Sequence, residues 1–201
     1  MMSEKSKKHL AILSAARVLF NRHGFKKVTI EEICSEAGTS KMTFYKDFEN
    51  KHILANCVLD YVVAEGIVMF KEIMEKPVDY YEKINDIIRL KHIQLTNLGE
   101  IFLEDVLSDH VLRDHLFSKQ TENIDLTIQL FDLGKKEGVL RSDITSEYFI
   151  YLLDAYAKLY LEKGMIHLFP DTHERTEQIM NLFFYGITRP ENHTENNGGR
   201  K

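Results

Sequence analysis

The chain has 201 residues, 44% hydrophobic and 28% charged, with a net charge of −5, three prolines and two cysteines. This composition supplies a buried core and excludes disordered, collagen-like and disulfide-framework chains. No uninterrupted apolar run of 18 residues and no apolar segment after the charged start are present, so the expectation is a cytoplasmic protein with neither membrane span nor leader.

The first predicted helix covers about residues 7–22, with Leu10, Leu13, Ala16, Leu19 and Phe20 on one stripe. Lys5, Lys7 and Lys8 make a short basic arm before it, and His23-Gly24 ends it. Thr29 can cap a second helix and Glu32 completes a capping box, while Val28 and Ile33 can form a hydrophobic staple. Gly38 supplies the backbone freedom for a sharp turn. Thr39 or Ser40 can cap a third helix reaching about residue 46. Phe44 and Phe48, four apart, can share its buried face. Lys41, Thr43, Tyr45 and Lys46 remain on its outer face, offering groups that contact phosphates and base edges. Two short helices joined by a tight turn form a helix-turn-helix, whose second helix enters the DNA major groove.

A fourth helix opens after Asn50, with Lys51 in its first turn, and runs to about residue 74 before Pro77. A cation at Lys51 opposes the helix dipole and suits a nearby phosphate. Further helices are predicted at about 78–98, 100–107, 111–136 and from Thr145 to about 163, where Gly164 breaks the pattern. The last runs from Asp171 or Thr172 to about 186. The fold class is all-α, with about nine helices. It divides into a helix-turn-helix domain over residues 1–50, a helical ligand-binding and dimerisation domain over 51–189, and a polar tail over 190–201 expected to be disordered.

The run from Ile12 to Leu54 resembles the N-terminal DNA-binding domain of TetR-type transcriptional regulators. The matching features are A-A-x-x-L-F in helix 1, Gly24-Phe25, Thr29 opening helix 2, A-G in the turn, T-F-Y-x-x-F in helix 3, and Lys51. The resemblance covers about a quarter of the chain. It departs at Thr39, usually a small apolar residue, at Met42, usually small, and at Asp47, often histidine or tyrosine. The bulk of Met42 means that no base preference carries over. The resemblance implies DNA contacts at Thr29, Thr39, Ser40, Lys41, Thr43, Tyr45, Lys46 and Lys51. Lys41 and Thr43 are the expected base readers, and Thr29, Tyr45 and Lys51 the expected phosphate contacts. Charge runs the same way: residues 1–52 hold ten Lys/Arg against six Asp/Glu, on a chain that is acidic as a whole.

The resemblance also implies a homodimer and a small-molecule effector. The last two helices are apolar on more than one face, and Phe149, Leu152, Leu153, Leu159, Tyr160, Ile179, Leu182 and Phe183 are the candidate dimer residues. Candidate ligand residues are His92, Thr96, Phe102, Gln120, Phe131, Tyr151 and Tyr156. A ligand is expected to move helix 4, taken as the single link between the domains, and so change the spacing of the recognition helices. The expected function is a DNA-binding transcriptional regulator, a repressor that binds a palindromic operator as a dimer and is released by a ligand. The alternatives are a ligand-independent DNA-binding regulator and a helical protein-interaction adaptor. No catalytic motif, metal spacing or cofactor fingerprint is present, so no enzymatic activity and no cofactor are expected. Cys34 and Cys57 are expected to be free thiols.

Overall fold

The computed structural model describes residues 4–122 and 124–188, which form eleven α-helices. They are α1 (Glu4–His23), α2 (Ile30–Glu36), α3 (Lys41–Asp47), α4 (Lys51–Glu75), α5 (Tyr80–Leu98), α6 (Glu100–Ser108), α7 (His110–Glu122), α8 (Ile124–Lys136), α9 (Ser146–Leu161), α10 (Lys163–Leu168) and α11 (Thr172–Ile187). There is no strand among the described residues; Leu140 and Thr188 form a lone β-bridge. The expected tail, 190–201, lies outside the described residues.

Most helix boundaries follow local chemistry legible in the sequence. Asn50 caps α4 by accepting the Ile53 amide at 2.9 Å, and Thr145 caps α9 by accepting the Tyr148 amide at 3.2 Å. Asp171 caps α11 through the Glu174 amide at 2.8 Å. The helix expected over 111–136 is described as α7 and α8, on either side of residue 123, which lies outside the described residues. One expectation is corrected. The break expected at Gly164 falls at Glu162, whose extended backbone ends α9 and whose carboxylate accepts the Gly164 and Met165 amides to start α10. A carboxylate can satisfy orphan amides as a cap, so Gly164 continues the new helix instead of stopping the old one.

The chain divides into two compact units. The first takes residues 4–68 together with Ile93–Glu122; the second takes Met69–His92 and residues 124–188. The chain therefore passes between them three times, where a single passage through helix 4 was expected.

The first unit is organised around Ile12, Ala16, Phe20, Ile33, Phe44, Phe48, Leu54, Leu59, Phe102, Val106 and Leu112, all essentially inaccessible. These residues come from α1–α4, α6 and α7, so the helix-turn-helix is buttressed by helices distant in sequence. Gly99 makes that approach possible. It has φ 66°, and a Cβ there would lie 2.6 Å from the Asn21 carbonyl oxygen in α1.

The second unit is centred on Ile73, Tyr80, Ile84, Ile87, Phe131, Leu140, Phe149, Phe183 and Ile187. The rings of Phe131 and Phe149 stack at 4.2 Å. Lys83 is buried there, and its amine donates to the carbonyls of Ile73, Met74 and Lys76, satisfying the C-terminal end of α4.

By length and composition α4 could cross a membrane, and it is the one described helix that could. Its apolar residues serve the two cores: Leu54, Ala55, Val58, Leu59 and Val62 lie in the first, and Ile73 in the second.

Candidate nucleic-acid interface

The geometry of α2 and α3 is set by hydrogen bonds within a few residues. Thr29 donates its amide to Glu32 Oε2 at 2.8 Å, and its hydroxyl accepts the Glu32 amide at 3.2 Å. This is the expected capping box. Val28 and Ile33 are buried in one cluster. At the other end of α2, Gly38 has φ 60°. The Thr39 amide donates to the Cys34 carbonyl at 2.9 Å and the Gly38 amide to the Ser35 carbonyl at 3.2 Å, the paired bonds of a Schellman turn. Ser40 then caps α3 by accepting the Thr43 amide at 3.2 Å. Phe44 and Phe48 are 0% and 1% exposed, with ring centroids 5.7 Å apart, and hold α3 against the core.

With those two rings inward, the opposite face of α3 is presented outward. Tyr45 and Lys46 are exposed there, and Thr29, Ser40 and Lys41 are exposed beside them. The hydroxyls are partly committed: Thr43 Oγ1 lies 3.1 Å from Ser40 Oγ, and Thr29 Oγ1 donates to Glu32. The Thr39 hydroxyl is buried and has no hydrogen-bond partner among the described residues. Lys41 pairs with Glu31 of α2. Their shared hydrogen bond holds the glutamate below, and the lysine above, its usual range.

Lys51 is half-buried, and its amine donates to the carbonyls of Phe25 at 2.8 Å and Val28 at 2.9 Å, over the Phe25 ring at 4.4 Å. Burial draws this ammonium below its usual range, against the opposing pull of Asp105 and Glu32. An ammonium has three donors, so one remains for a phosphate. Asp47 is withdrawn from this face. Its side chain is 5% exposed and lies 3.7 Å from His9, whose ring stacks on Phe48.

A further cation stands beside this surface. Lys27 is exposed two residues before the Thr29 cap and lines a cleft with His23 and Glu32. Its signal was its position in the basic pair just before the capping box.

Residues 12–56, the segment built around this surface, match the profile of the bacterial regulatory proteins of the tetR family. Over this segment the chain is similar to the TetR-type transcriptional regulators. It is 23% identical over 199 residues to the HTH-type transcriptional repressor KstR2 of Rhodococcus jostii, spanning 94% of this chain and 96% of that one. The fold is also that of solved structures. One is the fatty acid degradation regulator FadR of Bacillus halodurans (TM-score 0.69, 18% identity, covering 94% of this chain and 100% of that one). Another is SmeT, the repressor of the Stenotrophomonas maltophilia multidrug efflux pump SmeDEF (TM-score 0.67, 18% identity, covering 90% and 91%).

The remaining candidate residues scatter. Of the ligand candidates, Phe102 lies in the first unit's core and Phe131 in the second's, both at 0% exposure. Thr96 is exposed in the first unit, and Tyr151 in the second is 70% exposed. His92 is half-buried in the second unit. The Gln120 side chain is outside the described residues. Tyr156 lines a cleft, about 240 Å³ in volume, with Arg141, Tyr148, Leu152 and Phe183 among its neighbours.

The dimer candidates divide as well. Phe149, Ile179 and Phe183 are at most 5% exposed within their own unit and have almost no surface to offer a second copy. Leu152 and Leu153 are half-buried against the same core. Tyr160 accepts the Thr176 hydroxyl at 3.3 Å and lies under Arg175. Leu159 and Leu182 remain outward, at 39% and 62%, joined by Tyr148 and Tyr151.

Proposed function

We propose that this regulator is a cytoplasmic repressor that binds a two-fold-symmetric operator as a homodimer and leaves it when a small molecule binds the C-terminal helices. The observation that carries the DNA half is the α3 face, whose inward aromatic pair leaves Tyr45, Lys46 and Lys41 outward beside Ser40 and Thr29. The names of KstR2 and SmeT, both repressors, favour repression over activation. Dimerisation is supported by the outward stripe of Tyr148, Tyr151 and Leu159 on α9, spaced for one helix face, with Leu182 on α11. Residues 1–50 are the reading domain in this proposal and residues 51–189 the sensing and dimerising domain.

The effector must bind the two arrangements of the regulator unequally, or DNA affinity does not change. The cleft beside Tyr156 is below the roughly 300–1,000 Å³ of drug-sized sites, so an effector must be small or must enlarge it.

The test is selection of bound duplexes from genomic fragments, followed by a salt titration of affinity. Log affinity should fall linearly with log salt at a slope near −0.9 per phosphate contact. A salt-insensitive interaction would sink the DNA reading. Tyr151→Asp with Leu182→Asp should give a monomer by sedimentation with weakened operator binding, and an unchanged dimer removes the proposed interface.

A further inference from the structure

Met42 is the most exposed large apolar side chain among the described residues, at 74%. It stands at the second position of α3, and Tyr45 and Lys46 follow at i+3 and i+4. The three share one helix face, opposite Phe44 and Phe48. A methionine this exposed contributes little to its own core, and its apolar surface stays in water until something covers it.

Its neighbours narrow what that could be. Lys41 is paired with Glu31, and the Thr43 hydroxyl is bonded to Ser40, so the two side chains with hydrogen-bonding readout are partly engaged within the motif. Met42 therefore stands free at the N-terminal end of the reading face, the end of a recognition helix that meets base edges. A thioether is a poor hydrogen-bond partner and cannot sort bases by their donors and acceptors. The major groove offers one apolar base group, the C5 methyl of thymine. An unbranched, polarizable side chain with three rotatable bonds suits contact with it.

We propose that Met42 is a specificity-determining residue that selects a thymine in each half-site by packing its side chain on the C5 methyl. The proposal rests on the DNA-binding reading above. Placing Met42 over any other base edge covers polar atoms without pairing them, which adds discrimination against the alternatives.

The test uses the full chain and a duplex enriched from a random pool. Each thymine in turn is replaced by deoxyuridine, which removes the methyl and nothing else. At one thymine per half-site, deoxyuridine should weaken wild type and Met42→Leu roughly fivefold to tenfold, and Met42→Ala by less than about twofold. Met42→Ala should melt as wild type does, because an exposed side chain carries little stability. The proposal is overturned if no thymine responds, or if deoxyuridine weakens Met42→Ala as much as wild type. Failure to enrich any duplex is a different result. It removes the DNA-binding reading, and this proposal with it.

Discussion

The outer face of α3 and the outer face of α9 and α11 expose apolar side chains to a similar degree, but in different company. Met42 and Tyr45 are 74% and 57% exposed, and Lys41 and Lys46 flank them on a seven-residue helix. Tyr151 and Leu182 are 70% and 62% exposed, and the sixteen residues of α9 hold a single lysine, itself paired with Asp154. Apolar area set beside Lys46, a cation unpaired among the described residues, suits a polyanion that also carries methyl groups. Apolar area with its charges neutralised locally suits another apolar surface. The kind of partner is thus decided by the charges around the exposed hydrophobes, more than by the hydrophobes themselves.

Core truncations break the comparison most severely. Phe44→Ala removes a fully buried ring and should cost about 3–5 kcal/mol, and Leu130→Ala in the second unit about 2–5 kcal/mol. Urea unfolding checks both values. At temperatures where both variants remain folded, Phe44→Ala should lose operator binding and Leu130→Ala should retain it. Equal loss from both would mean that the two faces are not separable.

Lys51 comes next in size. Replacement by methionine keeps the stem but leaves the carbonyls of Phe25 and Val28 without their charged donor, at a cost of about 2 kcal/mol. If the third donor also grips a phosphate, the salt slope of DNA binding should fall by about one. A stability loss with an unchanged slope makes Lys51 a fastener of the 25–28 loop only.

This residue marks the limit of what the sequence could reveal. Thr29, Gly38, Ser40 and Asn50 were legible because each acts on a backbone group within a few positions. The role of Lys51 was not, because its partners lie 23 and 26 residues away and their location depends on the folded loop. The same reason separates Leu182 from Phe183. Both are large and apolar, and only the packing of α11 decides that one is 62% exposed and the other 2%. Phe102 and Phe131 read alike as pocket liners, yet they are core residues of different units. Helical spacing reports that a side chain is turned away from water, and leaves open which core receives it.

A smaller effect separates the units by pH. Asp109 precedes α7 and accepts the amides of Val111 at 3.0 Å and Leu112 at 3.2 Å, with His52 at 3.0 Å. Burial alone would raise this carboxyl, but the hydrogen bonds from His52 and the two amides hold it below its ordinary range. A depressed folded-state value means that the stabilisation is complete above the unfolded aspartate value of about 3.9 and is lost as pH falls through the folded one. Asp109→Asn should therefore cost about 1 kcal/mol near neutral pH, with the difference from wild type closing in acid. Unfolding midpoints measured across pH check the sign, and a gap that widens in acid contradicts it.

The smallest expected change is a gain. The Thr39 hydroxyl is buried in the turn between α2 and α3 without a hydrogen-bond partner among the described residues. Valine has the same shape and no group to desolvate, so Thr39→Val should stabilise the first unit by about 1 kcal/mol. Its effect on DNA decides between two roles for this position. If the hydroxyl turns outward to a phosphate in the complex, the variant gains stability and loses operator affinity. If Thr39 only fills the turn, stability rises and affinity is unchanged. The turn then belongs to the scaffold, and reading is confined to the stripe of Met42, Tyr45 and Lys46 with Lys41 beside it.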